Sequence, residues 1–159
     1  MNKKRNNKGF TLVELIVVMA IMAILIGALA PQVIKYVEKS RESKDLQVLN
    51  TVYTAAQTSI SSSEATVTDI ADVTLLDFLK ASYGQSAVGV LVGTDIAAGA
   101  DSAAITTAAT NAANTIKGKL VSKKGSSKEI YVKYVAASNK ITIYTADAAA
   151  GTALLSVTN

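Results

Sequence analysis

The hydrophobic pattern of the chain begins with an unbroken apolar run near the N-terminus. Residues 10–30 contain only two polar side chains, those of Thr11 and Glu14, and residues 15–30 contain none. As a helix, the run would extend about 32 Å, which is close to the thickness of a bilayer core. The pattern therefore predicts a membrane-spanning helix.

A second apolar pattern follows Pro31, with a spacing of three and four residues. Its members predict one buried helical face: Leu46, Leu49, Tyr53, Ala56 and Ile60. We therefore expect one long helix over residues 10–62, apolar over 10–30 and amphipathic over 31–62. Pro31 removes one helical donor and predicts a kink or local melting there.

The remaining residues, 63–159, predict a globular head. A short helix capped by Asp72 or Thr74 is expected to run through residues 75–79 and to end at Gly84. Residues 88–92 predict a short strand. Residues 97–113 predict a short helix or mobile loop, with any helix over residues 102–114.

Residues 119–122, 129–135 and 141–145 predict antiparallel strands, with a fourth over residues 154–157. Turn-forming residues separate the first three of these strands, at 124–127 and 137–140. The expected fold class is α+β, a long N-terminal helix packed against a C-terminal antiparallel sheet.

Charge surrounds the apolar run unevenly. The basic residues Lys3, Lys4, Arg5 and Lys8 precede it without an acid, which favours a cytoplasmic N-terminus. Glu14 costs at least about 2.5 kcal/mol inside hydrocarbon. It either reaches the headgroups or pairs with a cation, and a cut after Gly9 would create an ammonium on Phe10 of a neighbouring helix.

The sequence KGFTLVELI at residues 8–16 resembles the class III signal of type IV pilins and pseudopilins. The similarity covers about residues 1–31: a short basic leader that ends in Gly9, then Phe10 as the first mature residue and Glu14 as the fifth. Pro31 also stands where many members of the family carry a helix-kinking proline.

The resemblance implies that residues 1–9 are a leader, which a prepilin peptidase removes between Gly9 and Phe10. It implies N-methylation of Phe10, and pairing of Glu14 with a Phe10 amine as the subunits assemble. The implied product is a homo-oligomeric helical filament on the cell surface, formed from a single-pass precursor in the cytoplasmic membrane. An assembly ATPase and a membrane platform are the implied partners.

Other interpretations of the N-terminus exist. Residues 28–30 (Ala-Leu-Ala) have the small-x-small pattern of a secretory cleavage site, although Pro31 would then follow the cut. An uncut chain would be a plain membrane anchor. The first residue of the mature protein distinguishes these cases.

Composition changes the picture in two ways. The leader carries four of the 16 basic residues, so the remaining chain has 12 basic and 12 acidic side chains, and the formal charge of +4 does not indicate nucleic-acid binding. The chain has no cysteine, so the head cannot use the disulfide that many Gram-negative pilins carry. A Gram-positive type of pilin is expected.

Within the head, acids dominate residues 64–101 and lysines dominate residues 117–140. These are either solvated surfaces or complementary faces of adjacent subunits. A third interpretation is binding of DNA or anionic polymers by the lysines, with stacking on Tyr131, Tyr134 and Tyr144.

The sequence excludes most catalytic chemistry. It has no histidine and no cysteine, which removes Ser-His triads, thiol nucleophiles and nearly all zinc sites. No phosphate-binding loop and no calcium-type acidic loop is present. We expect no enzyme, no cofactor, no metal and no catalytic residue. The predicted function is a type IV pilus subunit that serves adhesion, motility or DNA uptake, with a secretion or competence pseudopilin or a non-polymerising membrane-anchored binding module as alternatives.

Overall fold

The computed structural model describes residues 9–63, 67–93, 96 and 100–158. The chain divides into two units, Met1–Val37 and Glu38–Asn159. The helices are α1 (Leu12–Ser62), α2 (Leu75–Lys80), α3 (Gln85–Val92) and α4 (Ser102–Lys119). The strands are β1 (Ile70–Thr74), β2 (Glu129–Val135), β3 (Lys140–Ala146) and β4 (Leu155–Thr158), and a short 3₁₀ helix (Ala136–Ser138) joins β2 to β3.

The described part of the first unit is the beginning of α1 and the three residues before it, Gly9, Phe10 and Thr11. The helix is not interrupted at Pro31, so the local melting considered for that position does not occur. The kink expected there stays a prediction. Large apolar side chains are exposed throughout this part of the helix.

The second unit contains a four-stranded antiparallel sheet in the order β1-β2-β3-β4. The β2–β3 register runs from Glu129 opposite Ala146 to Val135 opposite Lys140. Together with α1 this confirms the predicted fold class, a long N-terminal helix and a C-terminal antiparallel sheet. The strand predicted over residues 154–157 is β4.

One hydrophobic core joins the C-terminal part of α1, the helices α2, α3 and α4, and one face of the sheet. From the sheet it takes alternate residues, among them Ile130, Val132 and Ile143. Leu49 and Val52 contribute from α1, and Phe78 and Ile116 from α2 and α4. These seven apolar side chains are 1 % exposed or less.

The buried face of α1 is rotated from the face that apolar spacing predicted. Leu49, Ala56 and Ile60 are buried as expected, but Leu46 remains 37 % exposed. The structure instead buries a set that includes polar side chains: Asp45, Val52, Ala55 and Ser59. The prediction missed this because it treated an acid as a surface residue.

Asp45 is buried because its carboxylate binds the loop that follows α4. Its Oδ1 accepts a hydrogen bond from the amide of Val121 at 2.8 Å. Its Oδ2 accepts from the amide of Ser122 at 2.9 Å and from the Ser122 hydroxyl at 2.6 Å. One turn or two before it on α1, Glu42 pairs with Lys124 at 3.1 Å and Glu38 accepts from the Lys123 amide at 2.6 Å. The acids of α1 therefore hold this loop against the helix.

Two strand predictions for the head were wrong, and one strand was missed. Residues 88–92 are helical in α3, which buries Ala87, Val88 and Leu91 on one face and ends at Gly93 in the left-handed conformation. Residues 119–122 are not a strand, because the amides of Val121 and Ser122 are used by Asp45. The edge strand β1 was missed.

The short helices are otherwise close to expectation. Thr74 caps α2 by accepting the Asp77 amide, and the helix ends at Lys80 rather than at Gly84. Gly84 precedes α3 instead, where a Cβ would overlap the Phe78 carbonyl. The helix expected over residues 102–114 is present as α4, which Asp101 caps and which continues to Lys119. Residues 97–99 lie outside the described part of the chain.

Candidate assembly site at the N-terminus

The residues before α1 are open to solvent. Gly9 and Phe10 are non-helical and exposed, with 89 % of Phe10 accessible. A Cβ added to Gly9 would meet no atom within 4 Å. Packing within the chain therefore does not account for glycine at this position. Lys3, Lys4, Arg5 and Lys8 lie outside the described residues.

Thr11 and Glu14 form a reciprocal cap at the start of α1. Glu14 Oε2 accepts hydrogen bonds from the Thr11 amide at 2.9 Å and from the Thr11 hydroxyl at 2.8 Å. In return, Thr11 Oγ1 accepts from the Glu14 amide at 3.3 Å. This arrangement satisfies backbone donors that the first turn of a helix otherwise leaves unpaired.

The cap gives Glu14 a role besides headgroup contact or pairing with an amine. The pattern Thr-x-x-Glu before an apolar run is the sequence signal of such a capping box. The capping bonds to the Glu14 side chain both use Oε2, and neither uses Oε1. A cation from another molecule can thus approach Oε1 while the cap remains.

The apolar surface that follows is uncovered within the chain. From Leu15 to Leu29 every large hydrophobic side chain is at least half exposed. By length and composition α1 can cross a membrane. Such a surface needs lipid or other apolar helices around it.

Comparison with known families bears on this segment alone. Residues 4–30 match the family model of the prokaryotic N-terminal methylation motif. The N-terminus carries the class III signal peptide of type IV pilins and pseudopilins. The match includes Gly9, Phe10 and Glu14 and ends before Pro31. Neither the curated proteins nor the solved structures gave a match to the chain.

The lysine-rich region of the head is largely paired within the chain. Four of its seven lysines meet acids of the same molecule, in the pairs Lys117–Glu129, Lys124–Glu42, Lys128–Asp147 and Lys133–Asp72. These pairs leave less charge for an adjacent subunit than the sequence indicated.

The acids of residues 64–101 are also used locally where the structure describes them. Asp77 accepts a hydrogen bond from the Thr74 hydroxyl at 2.7 Å, Asp101 caps α4, and Asp69 accepts a hydrogen bond from the Ala136 amide at 2.7 Å. Glu64 and Asp95 lie outside the described residues. Complementary faces on adjacent subunits therefore gain no support from these side chains.

The tyrosines of the sheet do not form an open stacking surface. Tyr131 and Tyr144 stack on each other with ring centroids 5.4 Å apart and are 6 % and 5 % exposed. Tyr134 lies in the core on the other face of the sheet. Nucleic-acid bases thus lack the exposed rings that stacking requires.

Proposed function

We propose that the chain is a structural subunit of a type IV pilus. The single observation that carries the proposal is the methylation motif at residues 4–30, which covers the exposed apolar part of α1 and contains one acid, Glu14. Subunits with this pilin-type motif are structural rather than enzymatic. The precursor is a single-pass protein of the cytoplasmic membrane, and the mature protein is on the cell surface.

Processing occurs between Gly9 and Phe10. The open backbone at Gly9 supports access by a prepilin peptidase, and the cut gives Phe10 the amine that is then methylated. The cut leaves Thr11 and Glu14 in the mature chain, so the helix cap is retained. The new ammonium lies four residues before the carboxylate, on a surface that has to pack against other apolar helices.

Assembly buries the apolar part of α1 against identical helices in a filament. In that setting an unpaired carboxylate is costly, and a neighbouring Phe10 amine at Glu14 Oε1 removes the cost and sets the axial register. The assembly ATPase and the membrane platform of the pilus supply the energy for extraction from the bilayer. Adhesion, motility and DNA uptake are the functions such a filament serves.

The proposal is tested by the N-terminus of the mature protein and by its location. Mass spectrometry of the protein in sheared surface filaments should give a chain that begins at methylated Phe10. A chain that begins at Pro31 would indicate a secreted protein, and one that keeps residues 1–9 a plain anchor or binding module. Short filaments that stay within the envelope would indicate a pseudopilin.

A further inference from the structure

The face of the sheet opposite the core carries a cleft that the proposed assembly does not use. It has a volume of about 530 Å³, within the range of small-molecule sites. Its polar lining comes from all four strands and consists of Asp72, Lys133, Lys140, Thr142, Tyr144 and Ser156. The β2–β3 register places Lys133 opposite Thr142, so these side chains share one face.

One wall of the cleft is the connection between β3 and β4, and it is anchored at several points. The Ala150 amide donates a hydrogen bond to the Tyr144 hydroxyl at 3.2 Å. The Leu154 amide donates to the Thr145 carbonyl at 2.9 Å, and Lys128 pairs with Asp147 at the start of the connection. These contacts hold the connection in place, so this wall of the cleft is part of the folded structure.

The charges of the cleft favour a single negative group. Lys133 lies 3.8 Å from Asp72, which offsets one of the two cations. Within the described residues Lys140 makes no ion pair, and it is exposed. The cleft thus has one cation more than it has carboxylates, which suits one carboxylate on a ligand.

The rest of the lining suits a hydroxyl-rich ring. The hydroxyls of Thr142 and Ser156 stand on neighbouring strands and face the cleft. The Thr142 hydroxyl donates to that of Thr158 at 3.2 Å, because the Thr158 hydroxyl donates to the Ile141 carbonyl, and the Thr142 oxygen can still accept a hydrogen bond from a ring hydroxyl. Val135, Ala150 and Ala153 add small apolar surfaces against which ring C–H groups can pack. Cation, hydroxyls and small apolar patches together match an acidic sugar.

We propose that this cleft binds a hexuronic-acid unit of an acidic polysaccharide. The carboxylate lies at Lys140 and Lys133, and the ring hydroxyls at Thr142 and Ser156. Nucleic acid fits less well because Tyr131 and Tyr144 are buried against each other and offer no face to a base. The site does not depend on filament assembly, so it can be tested on the unassembled chain.

The experiment is a titration of the isotope-labelled full chain in detergent micelles, followed by backbone amide chemical shifts. Sodium glucuronate should give saturable shifts confined to Lys133, Lys140, Thr142, Ser156 and their neighbours. Glucose, which has the same ring without the carboxylate, should bind with an affinity at least about tenfold lower. An oligothymidylate is the third probe.

Variants locate the site. Lys140→Gln should weaken glucuronate binding about tenfold, because it removes the unpaired cation. Lys119→Gln is the matched control, since Lys119 is exposed at the end of α4 and the change in charge is the same. Ala153→Phe fills the cleft at an exposed position and should abolish binding while leaving the amide spectrum of the core unchanged.

Several results would overturn the inference. Shifts that do not saturate, equal affinity for glucose and glucuronate, or unchanged binding by Lys140→Gln would each exclude a uronate site. Tighter binding of oligothymidylate at the same amides would assign the cleft to nucleic acid. None of these results would affect the proposed pilus function, which rests on the N-terminal helix.

Discussion

Asp45 of α1 and Ser122 of the loop after α4 are joined by two hydrogen bonds at one buried carboxylate. The Asp45 carboxylate, with no accessible surface, accepts from both the amide and the hydroxyl of Ser122, at 2.9 and 2.6 Å. A third bond comes from the Val121 amide. A buried carboxylate is tolerated here because backbone and hydroxyl donors replace the water it lost.

Asp45→Asn should destabilise the head by about 1–3 kcal/mol, because the new amide group turns a donor toward the donors of Ser122. Urea unfolding of the full chain in micelles, followed by circular dichroism, measures the change. Hydrogen exchange of the Val121 and Ser122 amides should also accelerate. Asp147→Asn is the control, since its side chain is 75 % exposed and the change should be about 0.5 kcal/mol or less. Equal losses for both variants would contradict this account of Asp45.

Gly125 lies so close to Asp45 that a Cβ would overlap its carboxylate. Gly125→Ala should therefore cost about 1–3 kcal/mol, because the carboxylate cannot move without losing its bonds. Gly118→Ala is the matched control: a Cβ there meets nothing within 4 Å, and Gly118 lies inside α4. That change should stabilise the chain by about 0.5–1 kcal/mol. A neutral Gly125→Ala in the same urea measurement would show that the loop is free to shift.

The variant Glu14→Gln distinguishes the role of Glu14 in capping α1 from the role of its negative charge. The glutamine carbonyl can still accept from Thr11, whereas the ion pair with a Phe10 amine is lost. We expect normal membrane insertion but a filament yield at least about a hundredfold lower, since breaking a buried ion pair costs roughly 3–5 kcal/mol. Glu14→Ala should assemble no better. Quantitative immunoblots of the sheared and membrane fractions measure the filament yield and the membrane insertion. A wild-type filament yield from Glu14→Gln would contradict the role proposed for the charge.

Gly9→Val should leave the leader attached. A Cβ at residue 9 meets nothing within the chain, so any loss of processing reflects the peptidase rather than folding. The mass of the membrane-bound protein should exceed that of the mature chain by residues 1–9, and filaments should be absent. Normal cleavage of this variant would place the cut elsewhere.

The stability of the head should fall at alkaline pH in a way that depends on Tyr144. Burial, and next a hydrogen bond with Asp72, raise the pKa of the Tyr144 phenol above its ordinary value of 10.0. The stabilisation from the neutral phenol is complete below pH 10 and is lost as the pH rises through the higher folded-state pKa. Melting temperatures between pH 9 and 12 should therefore decline less steeply for Tyr144→Phe. Tyr36→Phe, at a 72 % exposed position of α1, should follow the wild type.

The sheet shows how far local patterns reach. The strand over residues 129–135 was predicted with the observed ends, since Ile130, Val132 and Tyr134 alternate with residues of the opposite face. Residues 88–92 were misassigned because a short apolar run is compatible with a buried helix or a strand. In the structure the segment is helical, because a helix places Ala87, Val88 and Leu91 on one face that is buried against the core.

The N-terminal signal was determined by the sequence alone, because its leader charge, its Gly9–Phe10 junction, Glu14 and its apolar length all lie within 31 consecutive residues. Even the Thr11–Glu14 cap is a contact over three residues. The burial of Asp45 and the cleft around Lys140 were decided only by the tertiary structure. Asp45 meets Ser122 across 77 positions, and the cleft joins all four strands, from Asp72 of β1 to Ser156 of β4. No periodicity encodes such partners, since long-range packing rather than spacing along the chain brings them together.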